Sequence, residues 1–151
     1  HGAETPALVM IGRRGWECEH VVDLLERCGA IHPYLREVGE ASDREVAALL
    51  AGARALLMPS FAEGYGLPVQ EALDCGTPVI SSPLPAIKEF AGDIPDYAKP
   101  YDGARWLELI ENYSQPDSSL RQAQLRRLHG FHAPKWHEHF SLVEDFMESV
   151  G

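Results

Sequence analysis

With 151 residues, 45% of them hydrophobic and 24% charged, the chain has the size and apolar content of one independently cored globular domain. Its formal charge of -10 argues against a nucleic-acid partner, because affinity for a phosphate backbone needs lysines and arginines along a row of phosphates; any anionic ligand must be held locally. Cys18, Cys28 and Cys75 are scattered and form no CxxC, which argues against a disulfide framework or a thiolate zinc site.

No stretch approaches the roughly 20 apolar residues that cross a bilayer. The opening His1-Gly2-Ala3-Glu4-Thr5-Pro6 has neither the basic nor the apolar region of a signal peptide, so a cytoplasmic location is expected.

Ala7-Leu8-Val9-Met10-Ile11, closed by Gly12, has the pattern of a strand buried on both faces. A helix is expected over residues 19–27, with Val21, Val22, Leu24, Leu25 and Cys28 at helical period and Gly29 as its stop. An extended piece at residues 35–38 follows. Ser42-Asp43-Arg44-Glu45 has capping-box spacing ahead of Val46, Ala47, Leu49 and Leu50, so a second helix begins there. Ala55-Leu56-Leu57-Met58 reads as another buried strand, ended by Pro59-Ser60. A glycine-bearing loop leads to a helix opening at Pro68, where proline suits the first turn, and stopping near Gly76. Thr77-Pro78-Val79-Ile80-Ser81 supplies a further strand.

Pro83, Pro85, Pro95 and Pro100 make residues 82–101 read as an irregular connection, with a short helix opening at Lys88-Glu89. Beyond Asp102, apolar residues at Trp106, Leu107 and Ile110, then Leu120, Leu125 and Leu128, then Trp136, Phe140, Val143 and Phe146 predict three helices without a strand between them. Strands alternating with helices over short connections imply parallel pairing with right-handed crossovers. The expected fold is therefore α/β: an open, doubly wound parallel sheet, Rossmann-like, with a helical C-terminal tail, in a single domain over residues 1–151.

Ligands of open parallel sheets bind beyond the carboxyl ends of the strands, which directs attention to residues 59–67. Gly64 and Gly66 let the backbone approach a ligand, and the free N–H groups of the helix behind them favour an anion such as a diphosphate. Glu71 stands about one turn into that helix, where a carboxylate can accept two hydrogen bonds from a vicinal diol, and Glu63 lies at the other end of the loop. Taken singly, each has a plainer use: Glu71 complements a helix dipole, the glycines serve a tight turn, and Glu63 is a solvated acid.

As a whole, Pro59-Ser60-Phe61-Ala62-Glu63-Gly64-Tyr65-Gly66-Leu67-Pro68-Val69-Gln70-Glu71-Ala72-Leu73-Asp74-Cys75-Gly76-Thr77-Pro78-Val79-Ile80 resembles the signature of the retaining GT-B glycosyltransferases of family 4. In that family an E-x7-E motif precedes a small-residue helix and a G-x-P-V-I strand. The resemblance extends to Val9-Met10-Ile11-Gly12-Arg13-Arg14-Gly15-Trp16, to Ala48-Leu49-Leu50-Ala51-Gly52-Ala53-Arg54-Ala55 and to Gly92-Asp93-Ile94-Pro95-Asp96-Tyr97. It covers nearly the whole chain, most closely the bacterial mannosyltransferase-like members that build cell-surface polysaccharides.

The resemblance implies the C-terminal, donor-binding half of a hexosyltransferase. Glu71 would hold the ribose hydroxyls, Glu63 would be the catalytic residue at the donor sugar, and Gly64, Tyr65, Gly66 and Leu67 would approach sugar and diphosphate. The base is expected beside residues 38–41, beginning with Val38 and Gly39. Arg13 and Arg14 either reach the ligand cleft or are plain surface arginines. The family moves a sugar, here mannose by similarity, from a GDP- or UDP-hexose to a glycan or lipid-linked acceptor, with retention of configuration and without a catalytic metal or other cofactor. A peripheral membrane association of the full-length enzyme is also implied. Because such enzymes carry an N-terminal acceptor domain, and a first strand with the diphosphate-neutralising cations, the chain is expected to be a fragment lacking both and inactive alone.

Two other readings stand beside this one: a non-catalytic nucleotide-sugar-binding or regulatory module, and a nucleotide-sugar epimerase on the same fold. His129, His132, His137 and His139 cluster in sequence, but His137 and His139 fall on different sides of a helix, so no metal site is expected. Trp136, Phe140, Val143 and Phe146 read as a packed face or, in a fragment, as exposed apolar surface.

Overall fold

The computed structural model describes residues 5–133 and 135–150; residues 1–4, on which the reading of a leader partly fell, lie outside them. Strands β1 (Leu8–Ile11) and β2 (Leu35–Val38) pair in parallel, Leu8 opposite Leu35 and Ile11 opposite Val38. Between them run helix α1 (Glu19–Arg27) and a single 3₁₀ turn, His32–Tyr34. A second parallel sheet holds β3 (Leu56–Met58), β4 (Val79–Ser81) and β5 (Asp96–Tyr97) in that order. Helices α2 (Asp43–Gly52), α3 (Leu67–Asp74) and α4 (Pro85–Ala91) connect β2 through β5 in turn. The tail is α5 (Gly103–Ser114), α6 (Ser119–Leu128) and α7 (Trp136–Val150). Parallel strands with helical returns make this the doubly wound α/β architecture expected.

The local reasons are those visible in the residues. The capping box forms as spaced: the Glu45 N–H donates to Ser42 Oγ at 3.4 Å, and the Ser42 N–H donates to Glu45 Oε2 at 2.8 Å. Strand β4 is the centre of the molecule, with Val79, Ile80 and Ser81 all fully buried. Because side chains alternate across a strand, Val79 joins a cluster with Leu50, Val69, Ala72, Leu73, Ile87 and Leu128, whereas Ile80 packs with Ala98, Trp106, Leu109 and Tyr113. Strand β5 meets β4 only from Ile80 onward. The backbone of Val79 is instead completed by the buried Gln124 side chain of α6. Its Oε1 accepts from the Val79 N–H at 2.5 Å and its Nε2 donates to the Val79 carbonyl at 2.7 Å. The amide takes the place of one peptide unit of a missing neighbour strand. Asp96 ties β5 to the tail, accepting from the Tyr113 hydroxyl at 2.6 Å and from Arg127 Nη2 at 2.6 Å. Burial, reinforced by that carboxylate, holds the Tyr113 phenol well above its ordinary pKa.

Three expectations need correction. Strand β1 is not buried on both faces: Leu8 is 45% and Ile11 41% exposed. It is bonded only to β2, and neither core cluster draws a residue from the first 38 positions, so far as these are described. Residues 82–101 are not an irregular connection, since they contain α4 and β5. Pro85 lies in the first turn of α4, where a missing N–H costs nothing, so the helix begins three residues before Lys88. Finally, α7 forms as a helix but packs no face, since all of its described residues are exposed. The plainer reading of Trp136, Phe140, Val143 and Phe146 as core gives way to the exposed apolar surface weighed beside it.

Candidate functional site

Residues 59–66 leave the carboxyl end of β3 and turn into α3. The turn is made at Gly66, the residue before the helix, whose φ of +94° lies in the left-handed region. Gly66 is also buried, and a Cβ placed on it would stand 2.9 Å from Ile87 Cγ1. The carbonyl of Gly66 accepts from the N–H groups of Val69 at 3.0 Å and Gln70 at 3.3 Å. Among the described residues nothing accepts from the backbone N–H groups of Gly64, Tyr65, Gly66 or Leu67. Unpaired N–H groups at and just before a helix N-terminus are donors of the kind an anion can use.

The two acids flank this turn. Glu63 is half-buried and Glu71 exposed, and neither carboxylate has a hydrogen bond or ion pair among the described residues. Glu71 stays outward because Val69, Ala72 and Leu73 form the buried face of α3. Leu67 is exposed. Tyr65 does not stand free: its ring lies on that of Phe90, with centroids 5.1 Å apart and planes 11° from parallel. Its hydroxyl has no partner among the described residues.

A second group gathers at the carboxyl ends of β1 and β2. The Gly12 N–H donates to the Val38 carbonyl at 2.9 Å. Gly12, Arg13, Arg14, Glu37, Gly39 and Glu40 line an open cleft of about 430 Å³, and an adjoining hollow of about 410 Å³ reaches Ala41. Arg13 pairs with Glu40 at 2.6 Å. Arg14 lies between Glu37 at 2.8 Å and Glu26 at 2.5 Å, and these hydrogen bonds raise the guanidinium pKa further while Arg14 lowers that of Glu37. Both arginines thus stand at the cleft, already matched by carboxylates of their own chain. Val38 is half-buried and Gly39 exposed at the same rim. No hydrogen bond or ion pair among the described residues joins this cleft to the turn at residues 63–71.

Several contributors escaped the reading of the sequence. Glu26, Glu37 and Glu40 compensate the arginines, and only the acid excess of the chain hinted at them. Ile87 and Phe90 of α4 back the turn, and their spacing of three along a helix was the available signal. Among the described residues no group of three or more His, Cys, Asp or Glu gathers as a metal would require. No described helix is long and apolar enough to cross a membrane.

The family model for "Glycosyl transferases group 1" matches residues 3–110. The chain is 40% identical over 121 residues to O-antigen chain mannosyltransferase B of Escherichia coli, covering 80% of this chain and 32% of that protein. It is 39% identical over 83 residues to O-antigen chain mannosyltransferase RfbU of Salmonella typhimurium, covering 54% of this chain and 24% of that protein. The chain thus spans about a third or less of these relatives. In fold it is similar to sucrose-phosphate synthase of Thermosynechococcus elongatus, with a TM-score of 0.70 over 95% of this chain and 39% of that one at 19% identity. It is likewise similar to the catalytic domain of starch synthase IV of Arabidopsis thaliana, with a TM-score of 0.65 over 96% of this chain and 38% of that one at 14% identity. The parallel α/β fold and a family model matching most of the residues agree: the chain belongs to the group 1 glycosyl transferases.

Proposed function

We propose that this chain is the nucleotide-sugar-binding part of a retaining hexosyltransferase, with a GDP- or UDP-hexose as donor and mannose as the favoured sugar. The observation that carries the reading is the turn at residues 63–71, where four backbone N–H groups without partners among the described residues lie between two carboxylates equally without partners. The N–H groups suit the diphosphate, Glu71 the ribose hydroxyls, and Glu63 the sugar at the reacting centre. The mannosyltransferase relatives support the choice of sugar. The cleft beside Val38 and Gly39 suits the base, with Arg13 and Arg14 at its edge. No metal is needed in this scheme, because backbone dipoles and the remainder of the protein stabilise the leaving diphosphate.

The acceptor in this reading is a glycan or lipid-linked saccharide, presented by protein outside the chain, which spans about a third or less of these relatives.

Calorimetric titration with GDP and UDP tests the assignment. One of them binds the unaltered protein, and Glu71→Ala weakens that binding about 10- to 100-fold, the worth of one or two charge-assisted hydrogen bonds. Equal binding by both proteins, or none by either, removes the reading. A second expected result is that the 151-residue chain alone transfers no sugar from a labelled donor, because an open half-site excludes too little water to stabilise the transition state. Measurable turnover by the chain alone would contradict it.

A further inference from the structure

We propose that Phe90 is a positioning residue for the donor turn, acting through the ring of Tyr65. The inference rests on the reading of residues 63–71 as the donor site and adds to it the element that holds the turn in its binding shape. Two independent contacts bring α4 against the turn. The Tyr65 and Phe90 rings stack at 5.1 Å and 11°, and Ile87, fully buried, stands where any side chain at position 66 would have to go. Phe90 and Ile87 are three residues apart on one helix and therefore share a face. Phe90 also packs against the main core cluster, whereas Tyr65 is 43% exposed. The stack therefore runs from a fixed support to a loop side chain at the surface.

The support is itself braced. Lys88 Nζ lies 5.2 Å from the centre of the Tyr97 ring, and the Tyr97 hydroxyl donates to the Gly92 carbonyl at 2.6 Å, just after α4 ends. Burial pushes the Tyr97 phenol up to about 12, so this donor keeps its proton throughout the neutral range. The turn at residues 64–67 has no internal hydrogen bond through its own N–H groups. The helix and the Gly66 carbonyl bonds set the backbone at Gly66 and Leu67, and the stack adds the side-chain restraint on the stretch before them, at Tyr65. Pre-orienting that stretch removes an ordering cost that the ligand would otherwise meet on binding, and Phe90 does so without touching the ligand.

The experiment measures binding of GDP and UDP to the full-length transferase by calorimetry, with thermal unfolding to verify folding of each variant. Phe90→Ala is expected to weaken the nucleotide that binds by about 3- to 10-fold, the range set by one aromatic pair. Phe90→Tyr and Phe90→Trp, which keep a flat ring, stay within about twofold of the unaltered protein. Tyr65→Ala combined with Phe90→Ala binds no more weakly than the weaker single variant, because the two side chains act as one unit. In sugar-transfer kinetics Phe90→Ala raises KM for the donor and leaves KM for the acceptor unchanged. The proposal is overturned if folded Phe90→Ala binds like the unaltered protein, or if the two single losses simply add. If the unaltered protein binds neither GDP nor UDP, the donor-site reading itself falls, and this inference with it.

Discussion

Gln124→Ala lowers the stability of the domain by about 3–5 kcal/mol, enough to remove much of the margin of an ordinary domain. The Gln124 side chain is fully buried and completes both backbone groups of Val79. Removing it strands a buried N–H and a buried C=O, each costing about 1–3 kcal/mol, and opens a cavity beside the central strand. Gln124→Met separates the two contributions, since it retains most of the volume and none of the hydrogen bonding. Urea denaturation should place Gln124→Met closer to Gln124→Ala than to the unaltered protein. A loss below about 1 kcal/mol for Gln124→Ala would mean that water reaches Val79 and restores its bonds.

Gly66→Ala is expected to cost about 2–4 kcal/mol and to disturb the turn before α3 together with the core beneath it. Part of the penalty is conformational, because a side chain at φ +94° costs about 1–2 kcal/mol. Part is steric: the new Cβ would lie 2.9 Å from Ile87 Cγ1, in a packed region where over-filling costs about 1–3 kcal/mol. Gly64→Ala is the internal comparison, since a Cβ there meets nothing within 4 Å and should change stability by no more than about 0.5 kcal/mol. Equal unfolding midpoints for the two variants would show that the turn relaxes around the added methyl group and that neither the dihedral nor Ile87 constrains it. Because Gly66 also sets the backbone from which the first free N–H groups of α3 project, the proposed donor site predicts that Gly66→Ala weakens nucleotide binding more than Gly64→Ala does.

Much of the fold was legible in short stretches of residues because their causes are local. The helix over residues 19–27, the capping box at Ser42 and Glu45, and the strand at residues 35–38 appear where spacing and capping chemistry placed them. The turn ahead of α3 was legible for the same reason, since glycine, proline and helix-end donors act within a few positions of one another. The family was legible too, and the group 1 glycosyl transferase model matches residues 3–110.

Less legible were features decided between residues far apart in the chain. Prolines at positions 83–100 suggested irregular backbone, yet Pro85 begins α4 and β5 forms because β4 offers it an edge. The apolar run at residues 7–11 suggested double burial, but cover depends on what packs against a strand, and among the described residues neither core cluster includes one from β1.

By itself, then, the order of residues determined the alternation of strands and helices, the parallel pairing and the position of the glycine turn before α3, with Glu63 and Glu71 at its ends. Only the tertiary structure decided that Gln124 completes Val79 from 45 positions away, that Arg13 and Arg14 are matched by Glu40, Glu37 and Glu26, and that Phe90 supports Tyr65 from α4. The physical reason is range: capping, dihedral preference and periodicity are settled among neighbours, whereas burial, charge pairing and ring stacking exist only once distant segments have been brought together.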